Sequence, residues 1–156
     1  MIYELGLGSN LGDRPALLQS ATDALRAAGC DVTGISRVYE TEPVGGPEQG
    51  PYLNAVVRVV SDRDPHAMLG LVHEIETAAQ RVRVERWGPR TLDIDILRCS
   101  DDDGTEVHVE FPDLEIPHPR MFERAFVLVP LHDLDDSVGL DGIDTSVVWA
   151  AGAELR

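Results

Sequence analysis

Two carboxylates, Asp93 and Asp95, stand in the run Thr91-Leu92-Asp93-Ile94-Asp95-Ile96-Leu97. Side chains alternate along a strand, so Leu92, Ile94 and Ile96 go to one face and both carboxylates to the other. Two strand rises hold their Cα atoms roughly 7 Å apart, close enough for both to lean toward a hard cation. Like charges so placed call for a counterion. Mg²⁺ suits them, since it takes one or two carboxylates together with phosphate oxygens and water. The competing reading is a solvated strand face neutralised by arginines. The bare spacing carries little weight, because a chain with 16 Asp holds four Asp-x-Asp pairs. Those at 62/64, 101/103 and 133/135 fall in polar or turn contexts and read as loop acids.

An arginine cluster runs into this strand, Arg81-Val82-Arg83-Val84-Glu85-Arg86-Trp87-Gly88-Pro89-Arg90. Guanidinium forks match phosphate oxygens bidentately. A cationic loop beside a carboxylate pair is what a metal–polyphosphate substrate requires, whereas a charged surface loop anchored by a packed Trp87 is the plainer alternative. All 13 basic residues other than histidine are arginine, and the missing lysine excludes a Walker-type phosphate loop. The Gly/Pro-rich stretch 40–51 leads into Tyr52, a stacking face, and Asn54, a donor–acceptor edge for a flat heterocycle; the alternatives are a core tyrosine and a strand-start cap. His73 and Glu76 share a helix face but lack the third ligand a zinc site needs. Gly6-Leu7-Gly8-Ser9-Asn10 is half of a dinucleotide fingerprint without its third glycine, and reads as a tight turn. His118 lies between Pro117 and Pro119, in a rigid segment that either aims it at phosphate or shapes a turn.

The elements that position these residues follow from periodicity. Strands are expected at 2–7, 32–39, 54–61 and 91–97, with a short edge strand at 107–109. Helices are expected at 15–28, capped by Asp13, at 65–81, capped by Asp64, and from about 119 to 133, with a short one near 145–151. The order β-α-β-β-α-β predicts a ferredoxin-like α+β sandwich: an antiparallel sheet with helices over one face, the other left for a site or for the C-terminal elements. With 156 residues, 43% of them hydrophobic, a single domain spanning 1–156 is expected. A net charge of −15 repels nucleic acid and anionic membranes, so neither is expected as a partner. No protein partner is implied. The first residues lack the pattern of a secretion signal, which makes the cytoplasm the expected compartment.

Taken together, several motifs make the chain resemble the 6-hydroxymethyl-7,8-dihydropterin pyrophosphokinase family. They are Gly6-Leu7-Gly8-Ser9-Asn10-Leu11, Tyr52-Leu53-Asn54-Ala55, Arg86-Trp87-Gly88-Pro89-Arg90-Thr91-Leu92-Asp93-Ile94-Asp95, Ile116-Pro117-His118-Pro119-Arg120-Met121 and Arg124-Ala125-Phe126-Val127-Leu128. The resemblance reaches about residue 135. It implies a ferredoxin-like fold and transfer of pyrophosphate from ATP to the pterin alcohol, releasing AMP, in folate biosynthesis. It also implies two Mg²⁺ ions held by Asp93 and Asp95. Arg81 and Arg90 would join these aspartates as catalytic groups meeting the phosphates. Tyr52 and Phe126 would sandwich the pterin, Thr41 and Asn54 would read its edge, and Val44 and Gly45 would add backbone contacts. His73, Glu76, Arg86, Trp87, Arg90, Ile96, His118 and Arg124 would bind ATP. This chain departs from the family pattern at His73, where Gln is frequent, at Gln80, where Gly is common, and at Pro119, where some members have Tyr. Two other classes compete: a regulatory module that binds an ion or nucleotide without turnover, and an acidic structural domain.

Overall fold

The computed structural model describes residues 1–9, 14–41, 52–85 and 92–156, with only the backbone at 81–85. Strand β1, Ile2–Ser9, is buried along nearly its whole length because strands flank it on both sides. Tyr3, Leu5 and Leu7 face one way, and the small residues Gly6 and Gly8 face the other. Helix α1, Arg14–Ala27, buries Leu18, Ala21, Thr22 and Leu25, a stripe at helical spacing. It ends before Gly29, whose φ of +92° suits a residue without Cβ. The expected cap, Asp13, lies outside the described residues.

The expected second strand is two: β2, Asp31–Ile35, and β3, Tyr39–Thr41. Both pair with β4, Tyr52–Val60. Between them Ser36 donates its N–H to the Val56 carbonyl (2.9 Å), and its hydroxyl accepts the Val56 N–H (2.8 Å). A side chain thus stands in for a backbone group where one strand carries an extra residue, which bends the chain. Helix α2, Pro65–Glu85, runs four residues past its expected end. Its start is as the sequence predicts, with the Asp64 carboxylate accepting the Ala67 N–H (2.8 Å) and Pro65 in the first turn. Strand β5, Leu92–Ser100, follows.

The expected edge strand at 107–109 is displaced. A hairpin, β6 Val109–Phe111 with β7 Leu114–Ile116, forms instead, and the Val107 N–H goes to the Cys99 carbonyl (2.8 Å). The expected helix from 119 is a 3₁₀ turn, Met121–Glu123, then an extended Arg124, then α3, Ala125–Leu134. The expected helix near 145–151 is a 3₁₀ turn, Thr145–Val147, followed by β8, Val148–Ala150, paired with β3. Val147, Val148 and Trp149 are strand formers, and β3 offered them an open edge.

The main sheet runs β5-β1-β4-β3-β8 with β2 also on β4, every pairing antiparallel. Reading β2 and β3 as one interrupted strand gives the ferredoxin-like order. Helices α1 and α2 cover one face through Leu18, Leu25, Met68, Val72, Leu5, Val57 and Ile94. The opposite face is shared. Part of it packs on α3 through Val56, Leu97, Met121, Leu128 and Leu131, and the rest is an open cleft. Among the described residues no helix is long and apolar enough to cross a membrane.

Candidate active site

The cleft floor is set by strand register. Asp95 stands opposite Gly6 and Asp93 opposite Gly8 on β1, and those glycines stand opposite Val56 and Asn54 on β4. Cross-strand partners share a face, so both carboxylates and Asn54 look into one cleft of about 740 Å³. The glycines keep its floor low. A Cβ on Gly8 would lie 3.3 Å from the Asn54 Oδ1, and one on Gly6 would lie 3.4 Å from Leu97. The same alternation sends Leu92, Ile94 and Ile96 into the helix-side core.

One end of the cleft is acidic. Glu76 on α2 accepts the Ile94 N–H (3.0 Å), covering the outer edge of β5 beside the two aspartates. Burial pushes the Asp93 carboxyl up from its ordinary range, and the charge of Asp95 adds to this. Burial likewise raises Glu76; the Ile94 N–H opposes that, Asp93 and Asp95 reinforce it, and His73 pulls the other way. Among the described residues neither Asp93 nor Asp95 makes an ion pair. This end is therefore prepared for positive charge that the described residues do not supply. Among them no group of three or more His, Cys, Asp or Glu side chains is arranged to hold a metal. A cation here would rest on two carboxylates and take its other oxygens from ligand and water, as Mg²⁺ does.

The other end is aromatic. Thr41 and Asn54 are buried, and the Asn54 amide donates to the Thr41 hydroxyl (3.1 Å). Tyr52 pairs with Thr41 across β4 and β3. Burial raises the Tyr52 hydroxyl pKa, with a further push from the Asp93 charge, which links the two ends electrostatically. Phe126, at the start of α3, lines the cleft as well, and the Arg124 guanidinium lies over its ring, 5.5 Å from the centroid. The extended backbone at Arg124 (φ −114°, ψ 109°) separates the 3₁₀ turn from α3, and Arg124 and Phe126 both line the cleft.

The described side chains that line the cleft thus include Asp93, Asp95, Thr41, Tyr52, Asn54, Phe126, Glu76 and Arg124. Ile96, expected against the nucleotide, is instead 5% exposed within the helix-side core. The alternation that aims Asp95 into the cleft aims Ile96 away from it. His73 is exposed on α2 and is not among the lining residues. His118 is half-buried; its N–H donates to the Leu97 carbonyl (2.9 Å) and its Nδ1 accepts the Arg120 N–H (3.2 Å), which ties this segment to β5. Val44, Gly45, Arg86, Trp87 and Arg90, and the side chain of Arg81, lie outside the described residues.

Sequence reasoning missed several lining residues: Gly6, Gly8, Arg120, Glu123 and, in the tail, Ile143, Asp144, Val147 and Val148. Arg120 sits four residues before Arg124 in an arginine-poor stretch, a signal that was available. The tail carried none.

Comparison with known proteins gives the family. A family model described as 7,8-dihydro-6-hydroxymethylpterin-pyrophosphokinase (HPPK) matches residues 4–136. The 2-amino-4-hydroxy-6-hydroxymethyldihydropteridine pyrophosphokinase of Bacillus subtilis (strain 168) is 42% identical over 138 residues, covering 88% of this chain and 80% of that one. The protein of that name from Mycobacterium leprae (strain TN) is 46% identical over 142 residues, covering 87% of this chain and 73% of that one. Among solved structures, the Plasmodium falciparum HPPK-DHPS triple mutant superposes with a TM-score of 0.62 at 16% identity, covering 94% of this chain but 42% of that one, and so shares the fold. With a matched family model over most of its length and relatives above 40% identity, this chain belongs to the 7,8-dihydro-6-hydroxymethylpterin-pyrophosphokinase family.

Proposed function

We infer that the cleft transfers a pyrophosphoryl group from ATP to 6-hydroxymethyl-7,8-dihydropterin, releasing AMP, a step of folate biosynthesis. The hydroxymethyl oxygen bonds to the β-phosphorus, the bond from that phosphorus to the oxygen of AMP breaks, and the hydroxyl proton is lost to water. One observation carries the reading beyond family membership. One cleft holds an uncompensated acid pair at one end of a sheet face and, at the other, a buried amide–hydroxyl pair with two aromatic side chains in the same lining. The cleft's volume lies within the range of roughly 300–1,000 Å³ usual for small-molecule sites.

In this reading Asp93 and Asp95 would hold two Mg²⁺ ions, which would supply neutralisation of phosphate charge and Lewis acidity there. Arg124, and with it Arg120, binds phosphate oxygens from the rim. Arg81, Arg86 and Arg90 join them from the arginine cluster, with Trp87 beside them, and His118 adds a donor. Glu76 borders the nucleotide. His73, exposed on α2 three residues before Glu76, contacts the nucleotide from that helix. Tyr52 and Phe126 stack on the pterin, Asn54 and Thr41 bond its edge, and Val44 and Gly45 add backbone contacts. No described side chain presents a free strong base beside the hydroxyl, so positioning and charge stabilisation carry the rate. We read 1–156 as one domain working on these two small molecules in the cytoplasm, without nucleic acid, membrane or protein partner.

Incubation with ATP, Mg²⁺ and the pterin alcohol tests this. AMP and pterin pyrophosphate should form in equal amounts, and neither should form without the pterin. Release of ADP in place of AMP would make the reaction a single phosphoryl transfer or hydrolysis, and binding of both ligands without AMP or ADP would replace the enzyme by the regulatory module. Omitting Mg²⁺ should abolish turnover; full activity in chelator would remove the metal assignment alone.

A further inference from the structure

The family match ends at residue 136, yet the chain beyond it builds part of the cleft. The tail is held at three places. First, Leu140 and Ile143 pack on the cluster that includes Val56, Leu97 and Leu128, and the Asp144 carboxylate caps the short turn at 145–147 by accepting the Ser146 N–H (3.0 Å). Strand β8 then pairs with all of β3, the Trp149 indole N–H donates to the Glu40 carboxylate (2.9 Å), and the Ala151 N–H donates to the Val38 carbonyl (3.0 Å). Finally, Arg156 exchanges two hydrogen bonds with the Gln19 amide on α1, each 2.9 Å, and its carbonyl accepts a third from Arg26. A segment fastened at both ends and in its middle makes a fixed wall.

Its position is specific. Tyr52 pairs with Thr41, and Thr41 pairs with Val148. The three therefore form one row across β4, β3 and β8 on the cleft face, with Val148 roughly 10 Å from Tyr52, two strand spacings. Val148 is half-buried and lines the cleft beside Ile143. The aspartates lie toward the other edge of the sheet, on β5. A pterin over Tyr52 and Thr41 with its hydroxymethyl group toward the aspartates therefore presents its far end to Val148. A branched apolar side chain there offers no hydrogen bond and cannot yield space without moving β8.

We propose that Val148, supported by Ile143, is a specificity-determining residue of the pterin subsite: an apolar end-stop that seats the heterocycle and fixes how far it lies from the triphosphate. The inference rests on the pterin reading given above. Calorimetry with a non-hydrolysable ATP analogue present measures pterin binding, and a separate titration measures the analogue alone. Val148→Ala should weaken pterin binding three- to tenfold, and Val148→Trp, which fills the end of the cleft, more than tenfold. The ATP analogue should bind both within twofold of the parent. If Val148→Trp does not fold, the smaller enlargement Val148→Leu, which lengthens the wall into the cleft, should weaken the pterin at least threefold. Unchanged pterin affinity in these variants, while Phe126→Ala weakens it, overturns the end-stop and leaves the pterin reading standing. Equal weakening of both ligands overturns it too, since that is a general loss of structure. A parent protein that binds no pterin removes the subsite reading and the end-stop together.

Discussion

The cleft-side face of the sheet carries two acidic clusters, built from similar residues and opposite in character. At one end Glu4 is 7% exposed and bridges Arg58 (3.0 Å) and Arg98 (2.7 Å), while Arg98 also reaches Asp135 (3.0 Å). Hydrogen bonds from Ser137 and the Arg98 guanidinium hold the Asp135 carboxyl down at about 2. At the other end Asp93 is pushed up by burial and by Asp95. Along β5 the clusters are only a few residues apart. The first is internally neutral, and it ties β1, β4, β5 and the end of α3 together. The second keeps its negative charge unanswered among the described residues. An acid pair that the fold leaves uncompensated on a cleft floor marks binding, and one that the fold neutralises marks cohesion.

This contrast can be broken by substitution. The largest effect should come from Asp95→Ala or Asp93→Ala, which should lower turnover by about three orders of magnitude or more, with far-UV dichroism unchanged, because several kcal/mol of transition-state stabilisation are lost. Near-normal turnover at saturating Mg²⁺ would erase the distinction. Glu4→Ala should do the reverse. Leaving two arginines facing each other should cost roughly 2–4 kcal/mol in urea unfolding, while turnover per folded molecule stays within a few-fold. Between the two ends of the cleft, Phe126→Ala and Asn54→Ala should each weaken pterin binding about tenfold, on the order of 1 kcal/mol or more, with much less effect on ATP. Equal losses for both ligands would mean that the cleft is not divided.

The smallest effects concern pH. A carboxyl raised in the fold disfavours folding once it ionises, so the cost of Asp93 is present above its folded pKa and disappears as pH falls below the ordinary carboxylate range. Asp93→Asn should therefore raise the melting temperature of the ligand-free protein by a few degrees at neutral pH, with the gain closing toward pH 4. Asp135, depressed to about 2, contributes stability above its ordinary value that is lost as pH falls toward 2. Asp135→Asn should lower the melting temperature at neutral pH, and the gap should close across that acid range. The same sign in both variants would show that the two clusters are electrostatically alike.

Much of this was legible in residue order. The alternation of Leu92, Asp93, Ile94, Asp95 and Ile96 could place the carboxylates on one face because a strand has only two. The stripe of Leu18, Ala21 and Leu25 and the Asp64–Pro65 start marked helices for equally local reasons. What was misread depended on distant partners. Ser36 splits the expected second strand because its hydroxyl meets Val56 twenty residues away. The tail became a strand because β3 had an edge to offer.

By itself the sequence determined the alternation, the helix stripes, the composition without lysine and the family motifs, all carried by neighbouring residues or by direct comparison. Only the tertiary structure decided that Gly6 and Gly8 form the floor between the acids and Asn54, that Arg98 and Arg58 answer Glu4 while no described residue answers Asp93, and that Val148 joins the row of Thr41 and Tyr52. Register and burial bring together residues far apart in the chain, and no local pattern encodes which strand edge or which counter-charge will be waiting there.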